Sequence, residues 1–293
     1  MYIERSYPIS IHTGGTGGHA GVTSSVVRGL RAIGQNFVLD PDPAIESSQY
    51  VWVLAGVDRL RELVSLRSSI GIRRLVAGPN IAVLPTEYDG ILCHHGVDTC
   101  VVPSQWVADY HLEMSPSLRG RISLWMCGVD HNHWAPSSDN AKGFVTIYQK
   151  SVADESVSQI VRILLDAKYI PVIVNYGSYT ADQFKAALEI SDFAIFLSRS
   201  ESQGLALTEA WSMNVPTLVW DIGSWEYLGH TAPSTSCPYL TDLTGIRWRG
   251  LNVLTELVND FKDYSHKFRP RSWVLEHATD EICARSMLKI LGG

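Results

Sequence analysis

The chain has 293 residues, 45% apolar and 18% charged, with a formal net charge of −6 and a pI near 5.9. That composition allows a sizeable core and two domains, excludes a disordered chain, and speaks against a nucleic-acid binder, which usually presents a basic face. The cysteines Cys93, Cys100, Cys127, Cys237 and Cys283 are scattered and lack C-x-x-C spacing, which argues against a disulfide framework or a zinc site. With no basic-plus-apolar N-terminal signal and no apolar run near the roughly 18 residues that span a bilayer, the cytoplasm is the expected location.

In chain order, Pro8-Ile-Ser-Ile-His12 reads as a short strand leading into the turn Thr13-Gly-Gly-Thr-Gly-Gly-His-Ala-Gly21. A helix follows, with Val22, Val26, Leu30 and Ile33 on one face and Gly34 as its expected end. Gly15-Thr-Gly-Gly-His-Ala20 also satisfies G-x-G-x-x-G/A, and Asp40 closes the next apolar stretch about twenty residues on. On this half alone, a dinucleotide-binding oxidoreductase using NAD(P) is a fair rival reading. Tyr50 to Leu54, Arg74 to Ala77, Gly90 to Cys93 and Cys100 to Ser104 read as further strands, with helices near Val57 to Leu66 and through Gln105 to Asp109. Strands alternating with helices predict a parallel sheet covered on both faces. His94 and His95 fall just past one of those strands, where imidazoles can meet a sugar hydroxyl or shield developing positive charge.

The polar stretch Ser137 to Gly143 makes a natural linker, and Gly143-Phe-Val-Thr-Ile-Tyr-Gln-Lys150 opens a second series of strands and helices. A helix over Glu155 to Ala167, a strand over Ile170 to Val174, the turn Asn175 to Tyr179, a helix over Ala181 to Glu189 and a strand over Asp192 to Leu197 follow. Next comes Ser198-Arg-Ser-Glu-Ser-Gln-Gly-Leu-Ala-Leu-Thr-Glu-Ala-Trp-Ser-Met-Asn-Val-Pro-Thr, a loop, helix and strand entry that complete one βαβ unit. Amides of Gln203, Gly204 and Leu205 at the helix start can hold an anion such as a phosphate. Glu201 and Glu209 stand about two helical turns apart, so both carboxylates can reach one ligand and accept from vicinal hydroxyls. Thr231 to Pro238 reads as a loop, and Ser272 to Leu291 as one closing amphipathic helix.

Glu201-Ser-Gln-Gly-Leu-Ala-Leu-Thr-Glu209, followed by Ala-Trp-Ser-Met-Asn-Val-Pro-Thr, resembles the E-x7-E signature of retaining GT4-like glycosyltransferases. The resemblance implies the GT-B fold: two Rossmann-like α/β/α domains with an interdomain cleft. These would be an acceptor domain over 1–136, a nucleotide-sugar donor domain over 143–271, and a C-terminal helix, 272–293, crossing back to the first domain. The implied reaction moves a sugar from a nucleotide-diphosphate sugar to an acceptor hydroxyl with retention. The acceptor would be a glycan, a lipid-linked group or a small molecule, the last but one allowing peripheral membrane contact; no cofactor or metal is needed. By the same resemblance Glu201 meets the donor sugar, Glu209 the ribose, and the amides of Gln203 to Leu205 sugar and phosphate, with Ser202 also on the donor side.

Lys150 stands where the family carries an Arg for the diphosphate. The family's second cation a few residues on is missing, since Asp154 and Glu155 lie there, which leaves Arg199 or a tyrosine as a substitute. Tyr176 is placed to stack on the nucleotide base. Gly14 to His19 resembles the first glycine loop of GT-B enzymes, which puts Gly15, Thr16, Gly17, His19 and His94 on the acceptor side and makes His95 a catalytic candidate. Ser104 and Gln105 resemble the family's Ser at a comparable strand end. Asp130, His131 and His133 fall in the family's hinge rather than a metal site. A non-catalytic nucleotide-sugar-binding subunit would carry the same donor residues.

Overall fold

The computed structural model describes residues 8–14, 20–43, 48–137, 143–150 and 152–292. The chain forms two compact units: Met1–Gly128 with Thr279–Gly293, and Val129–Ala278.

The first unit holds β1 (Ile9–His12), β2 (Phe37–Leu39), β3 (Tyr50–Ala55), β4 (Arg74–Asn80), β5 (Thr99–Val102) and β6 (Ile122–Leu124) in one parallel sheet, ordered β2-β1-β3-β4-β5-β6. Its central strands are apolar at nearly every position because both faces are covered. On one face Val51, Val53, Leu75, Ala77, Cys100 and Val102 pack against Leu60 and Leu63 of the helix Val57–Leu66. On the other, Trp52 meets Trp125 edge-on at 5.6 Å, and the Trp125 indole donates to the Cys283 carbonyl at 2.9 Å. Cys283 belongs to the last helix, Asp280–Gly292, which crosses the helix Ala20–Ala32 at Gly29, where a Cβ would collide with the Asp280 backbone.

The second unit holds β7 (Phe144–Gln149), β8 (Ile170–Asn175), β9 (Ser191–Leu197), β10 (Thr217–Trp220), the hairpin β11 (Ser224–Tyr227) and β12 (His230–Pro233), and β13 (Gly245–Trp248). Its parallel sheet runs β13-β10-β9-β7-β8. Pro171 lies in β8, at the sheet edge, where a missing N–H costs least. Val145, Ile147, Phe193, Ile195, Leu197 and Leu218 face Ile160, Leu164, Leu254 and Val258 across the core.

Three sequence expectations are corrected. Gly90 to Cys93 is not a strand: Tyr88, Asp89 and Gly90 all have positive φ, and Ile91–Cys93 is a 3₁₀ turn. The closing segment is two helices, Pro270–His277 in the second unit and Asp280–Gly292 in the first. Thr279 Oγ1 accepts from the Ile282 amide at 3.3 Å, and Asp280 and Glu281 fill the first turn, so a fresh helix start is encoded there. Thr231 to Pro238 is not all loop: His230–Pro233 pairs antiparallel with Ser224–Tyr227 through Leu228 and Gly229, both at positive φ as a primed hairpin turn requires.

Candidate functional site

In the second sheet the chain passes from β7 to its neighbour β8, then to β9 on the opposite side of β7. Parallel strands whose connections leave in opposite directions open a crevice at their carboxyl ends. β7 ends at Gln149 and β9 at Leu197, so Lys150 and the loop Ser198 to Glu201 are delivered to that crevice. The Lys150 amide donates to the Leu197 carbonyl at 2.8 Å, extending the strand pairing by one residue and fixing where the side chain starts.

Lys150 Nζ donates to both oxygens of Glu201, at 2.8 Å and 3.0 Å. Ser198 Oγ donates to the same carboxylate at 2.8 Å, and the Glu201 amide donates to the Thr235 carbonyl at 3.0 Å. Glu201 is thus held by its backbone and by donors on two sides. An ammonium has three protons, and two are committed here, so one Lys150 N–H remains for another acceptor. The Tyr176 ring lies under Nζ, its centroid 4.7 Å away.

Beyond Glu201 the chain turns into the helix Leu205–Ser212 through Gly204, whose φ of 71° is the left-handed conformation that favours glycine. A Cβ there would sit 3.0 Å from Leu207 Cδ1. The first bonds of the turn run from the Leu207 and Thr208 amides to the Gly204 carbonyl. Among the described residues, the amides of Gln203, Gly204, Leu205 and Ala206 have no protein acceptor, and neither does the buried Gln203 side-chain Nε2. Donors converge on the positive end of a helix dipole, an arrangement suited to an anion.

Glu209 lies within that helix and is half-buried, and its carboxylate has no hydrogen-bond partner among the described residues. Burial pushes its pKa up to about 8. Burial raises the pKa of the Tyr148 and Tyr179 phenols, and Glu201 and Glu209 add to the rise, so both carboxylates lie near one tyrosine pair. Tyr148 stacks on Phe196 at 4.9 Å and packs edge-on to Tyr176 and Tyr179, which makes a stiff aromatic floor.

The structure therefore brings together Lys150, Glu201, Gln203, Gly204, Leu205, Glu209 and Tyr176. Ser202 is in the same loop and exposed; Arg199 is exposed and makes no ion pair among the described residues. Sequence reasoning missed Ser198, Tyr148, Tyr179 and Thr235. The first three flank strand ends already recognised, whereas Thr235 reaches Glu201 through a tertiary hydrogen bond that no local pattern announces.

In the first unit Gly15, Thr16, Gly17 and His19 lie outside the described residues. At the switch point between β1 and β3, Gly14 packs so closely on Ala55 and Gly56 that a Cβ would strike their backbone. Asp40 accepts from the Thr13 amide at 2.8 Å and the Thr13 hydroxyl at 2.6 Å, so both its oxygens serve the turn. His12 ends β1, and burial, reinforced by Arg59, lowers its pKa to about 4. His94 is half-buried, accepts from the Gly96 amide at 2.9 Å, and stacks on exposed His95 at 4.2 Å. Burial, then the His95 and Arg121 charges, hold the His94 pKa below its ordinary value. Ser104 precedes the helix Gln105–Met114 and is buried, its hydroxyl without a partner among the described residues, while Gln105 donates to Asp109.

No protein-family model matches the chain, and no curated protein does. Among solved structures, HepE from Anabaena, determined with UDP and glucose, is 10% identical with a TM-score of 0.64, over 98% of this chain and 99% of that one. The catalytic domain of starch synthase IV from Arabidopsis thaliana, bound to ADP and acarbose, is 8% identical with a TM-score of 0.64, over 98% of each chain. The lipopolysaccharide outer core galactosyltransferase WaaB is 12% identical with a TM-score of 0.63, over 97% of this chain and 99% of that one. Likeness at such identities speaks to architecture, since one fold hosts many activities. With its two parallel-sheet α/β domains, the chain has the GT-B fold.

Proposed function

We propose that this chain is a retaining glycosyltransferase of the GT4-like kind that takes its sugar from a nucleotide-diphosphate donor. One observation carries the reading: at the switch point of the second sheet, Lys150 bonds Glu201 beside four amides that have no acceptor among the described residues, with Glu209 next in the helix. The nucleotide-bound structures, HepE with UDP and starch synthase IV with ADP, support it by likeness of fold.

In this reading the diphosphate lies on the amides of Gln203 to Ala206 and takes the remaining N–H of Lys150. As the glycosidic bond breaks, charge grows on the leaving diphosphate, and these donors are already in position to stabilise it. Glu201, turned by Ser198 and Lys150, accepts from hydroxyls of the donor sugar, whose transition state is oxocarbenium-like. Glu209 accepts from the ribose, and Tyr176 offers a face to the base. His94 and the glycine loop at 15–19 are assigned to the acceptor side and His95 to catalysis beside it, with a glycan, lipid-linked or small-molecule hydroxyl as the nucleophile. No helix among the described residues is long and apolar enough to cross a membrane. No metal enters the scheme.

The test is a panel of nucleotide sugars incubated with candidate acceptors, with the product's anomeric configuration read by proton NMR. Transfer with retention, reduced by about a hundredfold or more in Lys150→Ala, is the expected result. Inversion at the anomeric carbon would overturn the retaining assignment, and undiminished transfer by Lys150→Ala would overturn the role of the pair.

A further inference from the structure

A second polar recess opens on the carboxyl edge of the same sheet, at the tips of β10 and β13. Its volume is about 420 Å³, and Asp221, Gly223, Thr235, Arg247, Trp248 and Arg249 line it. Asp221 follows β10 and Arg249 follows β13, so the parallel pairing of these strands places them side by side.

The charges are arranged for an anion. Asp221 is buried, and its oxygens already accept from the Thr235 hydroxyl at 2.6 Å and from the Gly223 and Ser236 amides at 3.1 Å and 3.2 Å. Arg247 reaches it at 3.4 Å, while its Nε donates to Cys237 Sγ at 3.1 Å and its Nη2 to the Cys237 carbonyl at 3.4 Å. Arg249 spends its Nε on the Asp221 carbonyl at 2.5 Å, and among the described residues neither of its Nη atoms has an acceptor. Two guanidinium groups thus lie beside one carboxylate that neutral donors satisfy, and among the described residues Arg247 Nη1 and both Arg249 Nη atoms have no acceptor. Gly223, at φ 73°, lies directly under the Arg249 guanidinium, where a Cβ would strike Nη2. Trp248 is buried, and its indole N–H has no acceptor among the described residues. Planar forks of this kind recognise carboxylate or phosphate oxygens in pairs.

The recess adjoins the Glu201 site. Thr235, which bonds Asp221 through its hydroxyl, accepts the Glu201 amide through its carbonyl, and Ser236 Oγ donates to the Ser198 carbonyl at 2.6 Å. Along the sheet edge the order is Tyr176 and Lys150, then Glu201, then Asp221, Arg247 and Arg249. The recess therefore lies beyond Glu201 on the side away from Lys150.

We propose that this recess binds the oxyanion of an acidic sugar, a carboxylate or phosphate carried on the sugar side of the substrate. That the occupant is a sugar rests on the transferase reading; that an oxyanion binds there does not.

The experiment titrates inorganic phosphate, glucuronate and uncharged glucose into the full chain, following the Trp248 indole N–H resonance assigned with Trp248→Phe. Phosphate and glucuronate should shift that resonance saturably and glucose should not. Affinity should fall about tenfold or more in Arg249→Gln and in Arg247→Gln. It should also fall in Gly223→Ala, which displaces the guanidinium, and persist in part in Arg249→Lys. UDP and ADP titrations of the same variants serve as a fold control. Glucuronate binding alongside UDP would place the acid on the acceptor. Tighter binding of UDP-glucuronate than UDP-glucose, with the difference lost in Arg249→Gln, would place it on the donor. Three results would overturn the proposal: no shift in the wild type, a shift unaltered by Arg249→Gln and Arg247→Gln, or phosphate binding abolished by Lys150→Ala. Phosphate binding that depends on Arg249 in a chain that binds no nucleotide would keep the oxyanion site and remove the transferase reading.

Discussion

Glu209 enters the folded chain as a carboxyl that burial holds up to about 8, so it is largely protonated at neutral pH. In the proposed donor site a ribose offers it two hydroxyl donors, which favours the ionised form. Nucleotide affinity should therefore strengthen with pH, by up to about tenfold per unit below 8, and level off above that. Calorimetric titrations of UDP and ADP across that range check this, and Glu209→Gln should give a flat and weaker profile. Stability follows the same proton with the opposite benefit. Between the ordinary 4.5 and about 8 the folded chain keeps a proton that the unfolded chain has released, so Glu209 makes stability fall as pH rises through that window. His12 acts the other way, because its pKa drops from 6.5 to about 4. Its contribution is present above 6.5 and is lost as pH falls towards 4. Thermal melts at about pH 5 and about pH 8 should show Glu209→Gln gaining most at the higher value and His12→Gln gaining most at the lower. Neither shift was legible in the sequence, since each depends on what the fold packs around the side chain.

Among the elements, those with a local signature were the ones read correctly. The helix Ala181–Glu189 carries its own capping box, Thr180 with Gln183, and the helix Val57–Leu66 its apolar spacing. The Lys150 and Glu201 positions were legible because each follows an apolar strand and so stands at the carboxyl edge. The hairpin Ser224–Pro233 was missed because its turn uses Leu228, 74% exposed, at a positive φ that glycine or asparagine normally takes. Arg271 belongs to a stretch that looks basic in sequence. In the fold its guanidinium donates to the Trp134 and Ser212 carbonyls at 3.0 Å and 2.6 Å, an internal tie that composition does not reveal. Helix crossing yields a prediction at this scale. Gly29 gives the helix Asp280–Gly292 its close approach, so Gly29→Ala should lower stability by roughly 1–3 kcal/mol, as overpacking does. Urea unfolding followed by Trp fluorescence measures it. Gly34→Ala, where nothing lies within 4 Å of the added Cβ, should cost less, about 1 kcal/mol from its positive φ alone.

Across the whole molecule, the chain leaves the first unit at Gly128 and returns to it at Thr279, so the last helix completes a core begun at the other end. Cys283, Ala284, Met287 and Leu291 are buried there, and removing them exceeds what a marginally stable unit tolerates. A chain truncated after Ala278 should lose the burial of Trp52 and Trp125, seen as red-shifted emission, while Trp211 and Trp273 in the second unit stay packed. The two-unit parallel architecture was foreseeable from alternating strands and helices. The proposed activity is a separate matter, because that proposal rests on one crevice at the β7–β9 switch point rather than on the fold. The most direct measurement is calorimetric titration of UDP, GDP and ADP and their sugar conjugates into the wild type and Glu209→Ala. Saturable binding of one nucleotide family, weakened about tenfold or more by the substitution, is the expected result. Absence of binding by every nucleotide sugar, or binding indifferent to Glu209, would contradict it.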